Sequence, residues 1–338
     1  MVKFVKFIIG SLTIAVSLSG HSSVFAQDTA VEEISDYVLD KLPKQIAAKF
    51  PDTLIKDMKT KSDFEAVMEL GGFASDNISV SDIDVSSEND DIAAKASLLL
   101  SYDQGLGENL NLGVSYKGSQ TLYEDFTDFD FRSHIFSAMA DYKYQGYKFG
   151  VILRNVDSSL ADEEFLSLTQ ISPYVSKFIG PKTFLRAAYG FSDKSFENVE
   201  SRDATEHQGR IDAYHFLDGT RRYFILGYTL EHSDAEGDPF DFLSHQVKLR
   251  YVHKFSLASR NLRFGASYSY ERREYENLTP SINQVRADER HRAKVNLTVP
   301  FNKNLYSRIE YQYQLNDSNL SVADFDRNIV TTTFGVKF

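Results

Sequence analysis

The chain contains no cysteine and no tryptophan, and only seven prolines in 338 residues. Without cysteine there is no disulfide framework, no thiol nucleophile and no thiolate-held metal. No stretch after the amino terminus approaches the ~18 consecutive apolar residues of a spanning helix, so only strands could cross a membrane. Basic charge is also in deficit. The formal net charge is −11, and two of the lysines, Lys3 and Lys6, lie in a segment expected to be removed. A nucleic-acid partner needs a basic face and is not expected. The sequence has no glycine-rich phosphate loop, zinc motif or nucleophile elbow, so no cofactor, metal or catalytic residue is expected and the protein is not read as an enzyme.

What is present is ordered along the chain. Lys3 and Lys6 precede an apolar run from Phe7 to Leu18 and the small-residue exit Val24-Phe25-Ala26, which predicts a signal peptide over 1–26. Val31, Ile34, Val38, Leu42, Ile46 and Phe50 then recur at helical spacing, interrupted at Pro43 and Pro51. Residues 27–62 are therefore expected to form a short helical periplasmic segment or a plug.

From residue 63 to 338 the apolar period is two. Leu305, Ser307, Ile309, Tyr311 and Tyr313 interleave with Tyr306, Arg308, Glu310, Gln312 and Gln314, and Leu262 to Tyr270 and Ala293 to Phe301 alternate in the same way. About 14 such segments run from 64–75 to 326–338, which predicts an all-β, antiparallel transmembrane barrel. Short links such as Gln145-Gly146 and Asn302-Lys303 alternate with longer acidic stretches at 76–90, 121–131, 157–164, 193–205, 233–241, 273–288 and 316–325. Short periplasmic turns and long outer loops are the pattern of an outer-membrane barrel of a Gram-negative bacterium. A soluble sandwich would not require it. The last segment, Ile329 to Phe338, ends on an aromatic and resembles the strand that the barrel assembly machinery recognises. Outer-membrane lipid and lipopolysaccharide are the other expected partners.

The candidate site is a ladder of charges on the expected inner face: Lys248, Arg250, Arg263, Arg290, Arg292, Lys294 and Arg308, with Glu271 and Glu310 beside them. Such a ladder could favour anionic solutes, or it could be the ordinary paired lining of a lumen. His134, His207, His215, His232, His245, His253 and His291 form no ligand spacing and are read as loop or interfacial residues; His232-Ser233-Asp234 is only a sequence neighbourhood. Carboxylates such as Asp82, Asp84, Asp128, Asp130, Asp238 and Asp241 are read as solvated loop groups, since none matches a Ca²⁺ loop. Tyr142, Tyr144, Tyr268, Tyr270, Tyr311 and Tyr313 suit interfacial girdles.

The runs Asp128-Phe-Asp-Phe-Arg-Ser-His134, Tyr214-His-Phe-Leu-Asp-Gly-Thr-Arg-Arg-Tyr223, Tyr268-Ser-Tyr-Glu-Arg-Arg-Glu-Tyr275 and Asn316 to Asn328 resemble the carboxyl-terminal barrel of the surface lipoprotein assembly modifier family. The resemblance implies a 14-strand barrel that helps surface lipoproteins or secreted clients across the outer membrane. It also implies a periplasmic domain of helical repeats, yet only about thirty residues stand in that place and they carry no repeat. The function expected first is a non-catalytic outer-membrane barrel assisting export or surface display of proteins or lipoproteins; the alternative is a passive porin or solute channel.

Overall fold

The computed structural model describes residues 62–80, 85–87 and 89–338. The expected signal peptide and all but the last residue of the segment 27–62 lie outside them. The strands are β1 (Ser62–Ser75), β2 (Ser79–Val80), β3 (Val85–Ser86), β4 (Asp91–Leu106), β5 (Leu110–Tyr123), β6 (Phe131–Tyr144), β7 (Tyr147–Leu160), β8 (Glu163–Ile179), β9 (Thr183–Phe196), β10 (Ala204–Asp218), β11 (Arg222–Ala235), β12 (Phe242–Leu257), β13 (Arg260–Thr279), β14 (Gln284–Pro300), β15 (Leu305–Ser318) and β16 (Phe325–Lys337). The short pair β2 and β3 forms a hairpin in the first outer loop, and the other 14 strands close into one antiparallel barrel. All 14 segments read from the alternation are present.

Closure follows from the solvent. In hydrocarbon an unpaired backbone group costs several kcal/mol, and a closed barrel leaves no edge. The last seam pairs the first and last barrel strands, Val67–Ser75 of β1 with Ile329–Lys337 of β16. Alternation then assigns the faces. Phe64, Met68 and Leu70 of β1, Val114 of β5, Leu153 of β7, Ile211 of β10 and Ile309 of β15 are exposed on the outside. Between them, residues such as Lys95, Ser97, Ser115, Lys117, Arg154, Gln170 and Lys294 face inward. The outward apolar band is the surface that lipid covers.

The inner turns are tight. β6 and β7 are joined by Gln145 and Gly146, and β12 and β13 by Ala258 and Ser259, all four at positive φ, as two-residue hairpin turns with the twist of the sheet require. The outer connections are shorter than the sequence suggested. Where loops were expected at 157–164 and 273–288, β7 runs to Leu160 and turns through Ala161 and Asp162, and β13 and β14 continue to Thr279 and from Gln284. The reason is physical: above the lipid the outward positions turn polar, as at Asp157, Arg272, Glu274 and Glu289, so alternation fades while the backbone ladder continues.

Four outer connections share one construction. A single 3-10 turn at Thr127–Phe129, Glu200–Arg202, Asp238–Phe240 or Ser321–Ala323 is followed by an aspartate, Asp130, Asp203, Asp241 or Asp324. Three of these reach back across the hairpin. Asp130 Oδ1 accepts the Tyr123 N–H at 2.8 Å, Asp203 Oδ1 the Phe196 N–H at 2.6 Å and Asp241 Oδ1 the Ala235 N–H at 2.7 Å. These carboxylates brace the loops rather than standing free in solvent, which corrects the solvated reading for Asp130 and Asp241. Asp203→Ala is expected to lower barrel stability by about 1–2 kcal/mol, through loss of charge-assisted bonds to a backbone N–H and to Ser195. Urea midpoints in lipid vesicles would register it.

Candidate functional site

Strand register places all nine residues of the expected ladder on the inner face. Lys248, Arg250, Arg263, Glu271, Arg290, Arg292, Lys294, Arg308 and Glu310 share parity with inward neighbours such as Ser244, Ser267, Ser269 and Asn296, opposite to the exposed Val247, Leu249, Tyr268 and Val295. The structure divides them. Lys294 pairs with Glu310 at 3.5 Å, and Arg308 with Glu69 of β1 at 3.1 Å. Glu271, by contrast, accepts from Arg273 at 3.0 Å. Arg290 belongs to a buried group near the outer end, where its guanidinium donates to Asp288 at 3.2 Å and to Asn316 at 3.1 Å.

Sequence reasoning missed much of the inner positive charge. Lys95 and Lys117 stand on β4 and β5, Arg154 on β7, Arg186 on β9 and Arg210 on β10. Lys117, Arg154, Arg210, Lys248 and Lys294 occupy the middle portions of their strands, with Lys95, Arg250 and Arg308 within a few residues of that level. Long-range electrostatics join them into two groups. Lys117 lies within reach of the like charges of Lys294 and Arg308, as Arg154 does of Arg186 and Arg210. The acids at this level are fewer: Glu69, Glu231, Glu271, Glu310 and Asp212, which Arg210 holds at 3.0 Å. Bases spread one or two to a strand gave no local cluster; inward parity applied to every strand would have found them.

Apolar residues flank this basic level inside the barrel. Phe184, Tyr214, Phe216, Tyr223, Ile225 and Val252 pack as one buried group at the short-turn end. At the outer end Phe131, Phe165, Leu166 and Phe196 form another, joined by Leu160 at the end of β7 and by Phe129 and Val199 from the turns.

The seven histidines among the described residues all lie on outward positions, as the interfacial reading expects. Four share a hydrogen bond with a tyrosine of the neighbouring strand through Nδ1: Tyr116–His134 at 2.8 Å, Tyr189–His207 at 2.6 Å, Tyr228–His245 at 2.8 Å and Tyr268–His291 at 2.8 Å. A fifth pair, Tyr311–Asn328, has the same form at 2.6 Å. In each, the partner sits two residues before the one directly opposite the tyrosine, a diagonal repeated on five outer hairpins. His232 and Asp234 point away from Ser233, which faces inward and is buried, so these three cannot converge. Among the described residues no three His, Asp or Glu side chains are arranged to hold a metal ion; Asp82 and Asp84 lie outside them.

Residues 218–338, from the end of β10 through β16, match the model of the family described as "Putative beta-barrel porin 2". Among solved structures, a loop-deleted form of OmpT, an outer membrane protein of Vibrio cholerae, is similar with a TM-score of 0.51 and 10% identity over 82% of this chain and 99% of that one. An anion-selective porin from Comamonas acidovorans is similar with a TM-score of 0.50 and 8% identity over 83% of this chain and 100% of that one. No curated protein matches the sequence. The likenesses to solved structures concern the fold. With the matched family and the outward apolar band, they place this chain in the outer membrane of a Gram-negative bacterium as a porin-like barrel.

Proposed function

We propose that the barrel is a passive, non-catalytic channel that favours small anionic solutes. The observation that carries the reading is the inward basic level, where Lys95, Lys117, Arg154, Arg210, Lys248, Arg250, Lys294 and Arg308 outnumber the inward acids Glu69, Asp212, Glu231, Glu271 and Glu310. In a low-dielectric wall, one sign of charge raises the local concentration of the opposite ion. The Comamonas acidovorans porin, solved as anion-selective, shares the fold, which suits such a passage.

The experiment is the reversal potential of purified barrels in planar bilayers under a salt gradient. Anion preference is expected. Two unit charges 4 Å apart interact by ~1 kcal/mol in water, and reversing a charge doubles that difference, so Lys117→Glu with Lys294→Glu should lower the anion preference by roughly tenfold or more. Cation preference in the unaltered protein, or no conductance, would remove the channel reading.

A second reading, export or surface display, rests on the seam and on the resemblance to the surface lipoprotein assembly modifier family. β1 pairs with β4 along its whole length, Ser62–Ser75, but with β16 only over Val67–Ser75. A seam of that kind is the natural place for a lateral exit. Complete surface display in a strain lacking the gene would sink this reading.

A further inference from the structure

Among the described residues, seven buried polar side-chain atoms have no hydrogen-bond partner, and five of them fall on one stretch of inner wall from β6 to β10. They are Asp141 Oδ1, Arg154 Nε, Ser176 Oγ, Arg186 Nε and the Tyr214 hydroxyl. Buried polar groups are almost always satisfied, so a local cluster of orphans calls for a polar partner from the lumen, water or solute. The register brings Ser176, Arg186 and Tyr214 together, with Arg154 six residues along β7 from Lys148, the residue opposite Ser176. Ser176 lies directly opposite Arg186, which lies opposite Asp212 on its other side. Arg186 stacks on Tyr174 at 4.3 Å, and Arg154 Nη1 donates to Gln170 at 2.8 Å.

The charge balance gives the sign of the missing partner. Asp141 is neutralised by Lys148 at 3.0 Å and Asp212 by Arg210 at 3.0 Å. Among the described residues Arg154 and Arg186 pair with no carboxylate, although Arg154 is only 9% exposed and lies within reach of the like charges of Arg186 and Arg210. Tyr214, fully buried, is in electrostatic reach of Arg186 and Arg210 as well. The Arg186 fork near the Tyr214 phenol and the Ser176 hydroxyl, with the Arg154 fork in electrostatic reach of it, offers donors matched to an oxyanion, which can accept two bonds from one fork.

We infer that this wall is a binding site for a small solute carrying a phosphate or carboxylate group, with Arg154 and Arg186 as its charged donors and Ser176 and Tyr214 completing it. The inference deepens the channel reading by giving it a solute class and a resting point. It is tested by calorimetric titration of the whole mature protein in detergent, with inorganic phosphate in one arm and acetate in the other, both in a chloride background. Saturable binding of at least one probe is expected, and the arm that binds identifies the group. Arg154→Gln and Arg186→Gln should each weaken binding by about tenfold or more, as loss of a hydrogen bond to a charged group does. Arg186→Lys, which keeps the charge and loses the fork, should recover part of it, while Arg222→Gln on the outer surface should change nothing.

Folding of each variant is checked by its heat-modifiable mobility. A second measurement covers weak heats: the probe should raise the unfolding midpoint of the unaltered barrel but not that of the glutamine variants. Absence of saturable binding in both arms, or binding that survives both glutamine variants in folded barrels, overturns the site. Its failure is separable from that of the channel, since anion-preferring conductance without saturable binding removes the site alone, and binding by a non-conducting barrel removes the channel alone.

Discussion

Replacing Gly71 with valine is expected to leave little folded barrel. Gly71 stands on β1 opposite Thr333 of β16, in the seam that closes the cylinder. A Cβ there would run into the Thr332 carbonyl oxygen and lie 3.0 Å from the Thr333 Cα. Both are backbone, so no side chain can swing away. Relief requires the two strands to separate where their hydrogen bonds are made. Overpacking in a closed interior costs about 1–3 kcal/mol and occasionally more. Here the charge falls on the contact between the chain's ends, which has the greatest sequence separation in the molecule and forms against the largest loop entropy. The folded, SDS-resistant band on unheated gels should be lost or much reduced for Gly71→Val. Gly209→Ala, on β10 with nothing within 4 Å of the new Cβ, should keep it. A normal folded band for Gly71→Val would show that the seam tolerates separation there.

The second large effect is expected at Asp288. Its side chain is fully buried near the outer end of β14, where Oδ1 accepts from Arg286 Nε at 2.9 Å and Ser318 Oγ at 2.7 Å. Oδ2 accepts from Arg286 at 2.9 Å and Arg290 at 3.2 Å. Arg286, itself 1% exposed, lies 4.5 Å over the Tyr275 ring. Asp288→Ala would take from that buried guanidinium the carboxylate it forks against, a loss of about 3–5 kcal/mol. Asp288→Asn keeps the shape and should lose less.

The outward neighbours Arg272, Glu274 and Glu289 put this group above the lipid, where it answers to the pH of the medium. Burial pushes the carboxyl up, but Arg290 and Arg286 outweigh it and hold it below the ordinary aspartate range. A depressed carboxyl contributes its stability in full above the unfolded value of about 3.9 and loses it as pH falls through the folded one. The advantage of the unaltered protein over Asp288→Asn in unfolding midpoint should therefore be constant from neutrality to about pH 5 and shrink in stronger acid. An advantage already gone at pH 5 would contradict this.

The strands were legible because lipid on one side and water on the other impose period two on each of them, as Leu305 to Gln314 shows. Their outer ends were not, because Asp157, Arg272 and Glu289 are hydrogen-bonded strand residues with no lipid to select for apolarity. The ladder from Lys248 to Arg308 was readable as charges crowded on successive strands. Arg154, Arg186 and Arg210 were not, because what unites them is the lateral register of β7 to β10. The same holds for the tyrosine–histidine diagonals, which no single strand contains. One trace of them was in the sequence: Asp130 and His134, Asp203 and His207, and Asp241 and His245 repeat Asp-x-x-x-His, the loop brace and the interfacial imidazole of one hairpin design. The segment 27–62 and its plug reading fall outside the described residues.

Those diagonals also act as a waterline. Each ties a tyrosine ring to a polar partner one step further out, near the level at which apolar outward residues give way to charged ones, and Tyr142, Tyr144 and Tyr147 mark the other shore at the short-turn end. Both marks are carried by paired strands and not by loops, so the height between them is set by backbone register. A bilayer around this barrel has to match that height by thinning or thickening, at a cost of fractions of a kcal/mol per Å. Slippage of one hairpin by a single residue would turn its tyrosine and histidine into the lumen and its basic side chains into lipid. How deep the protein floats and which ions it faces are thus decided by the same hydrogen bonds.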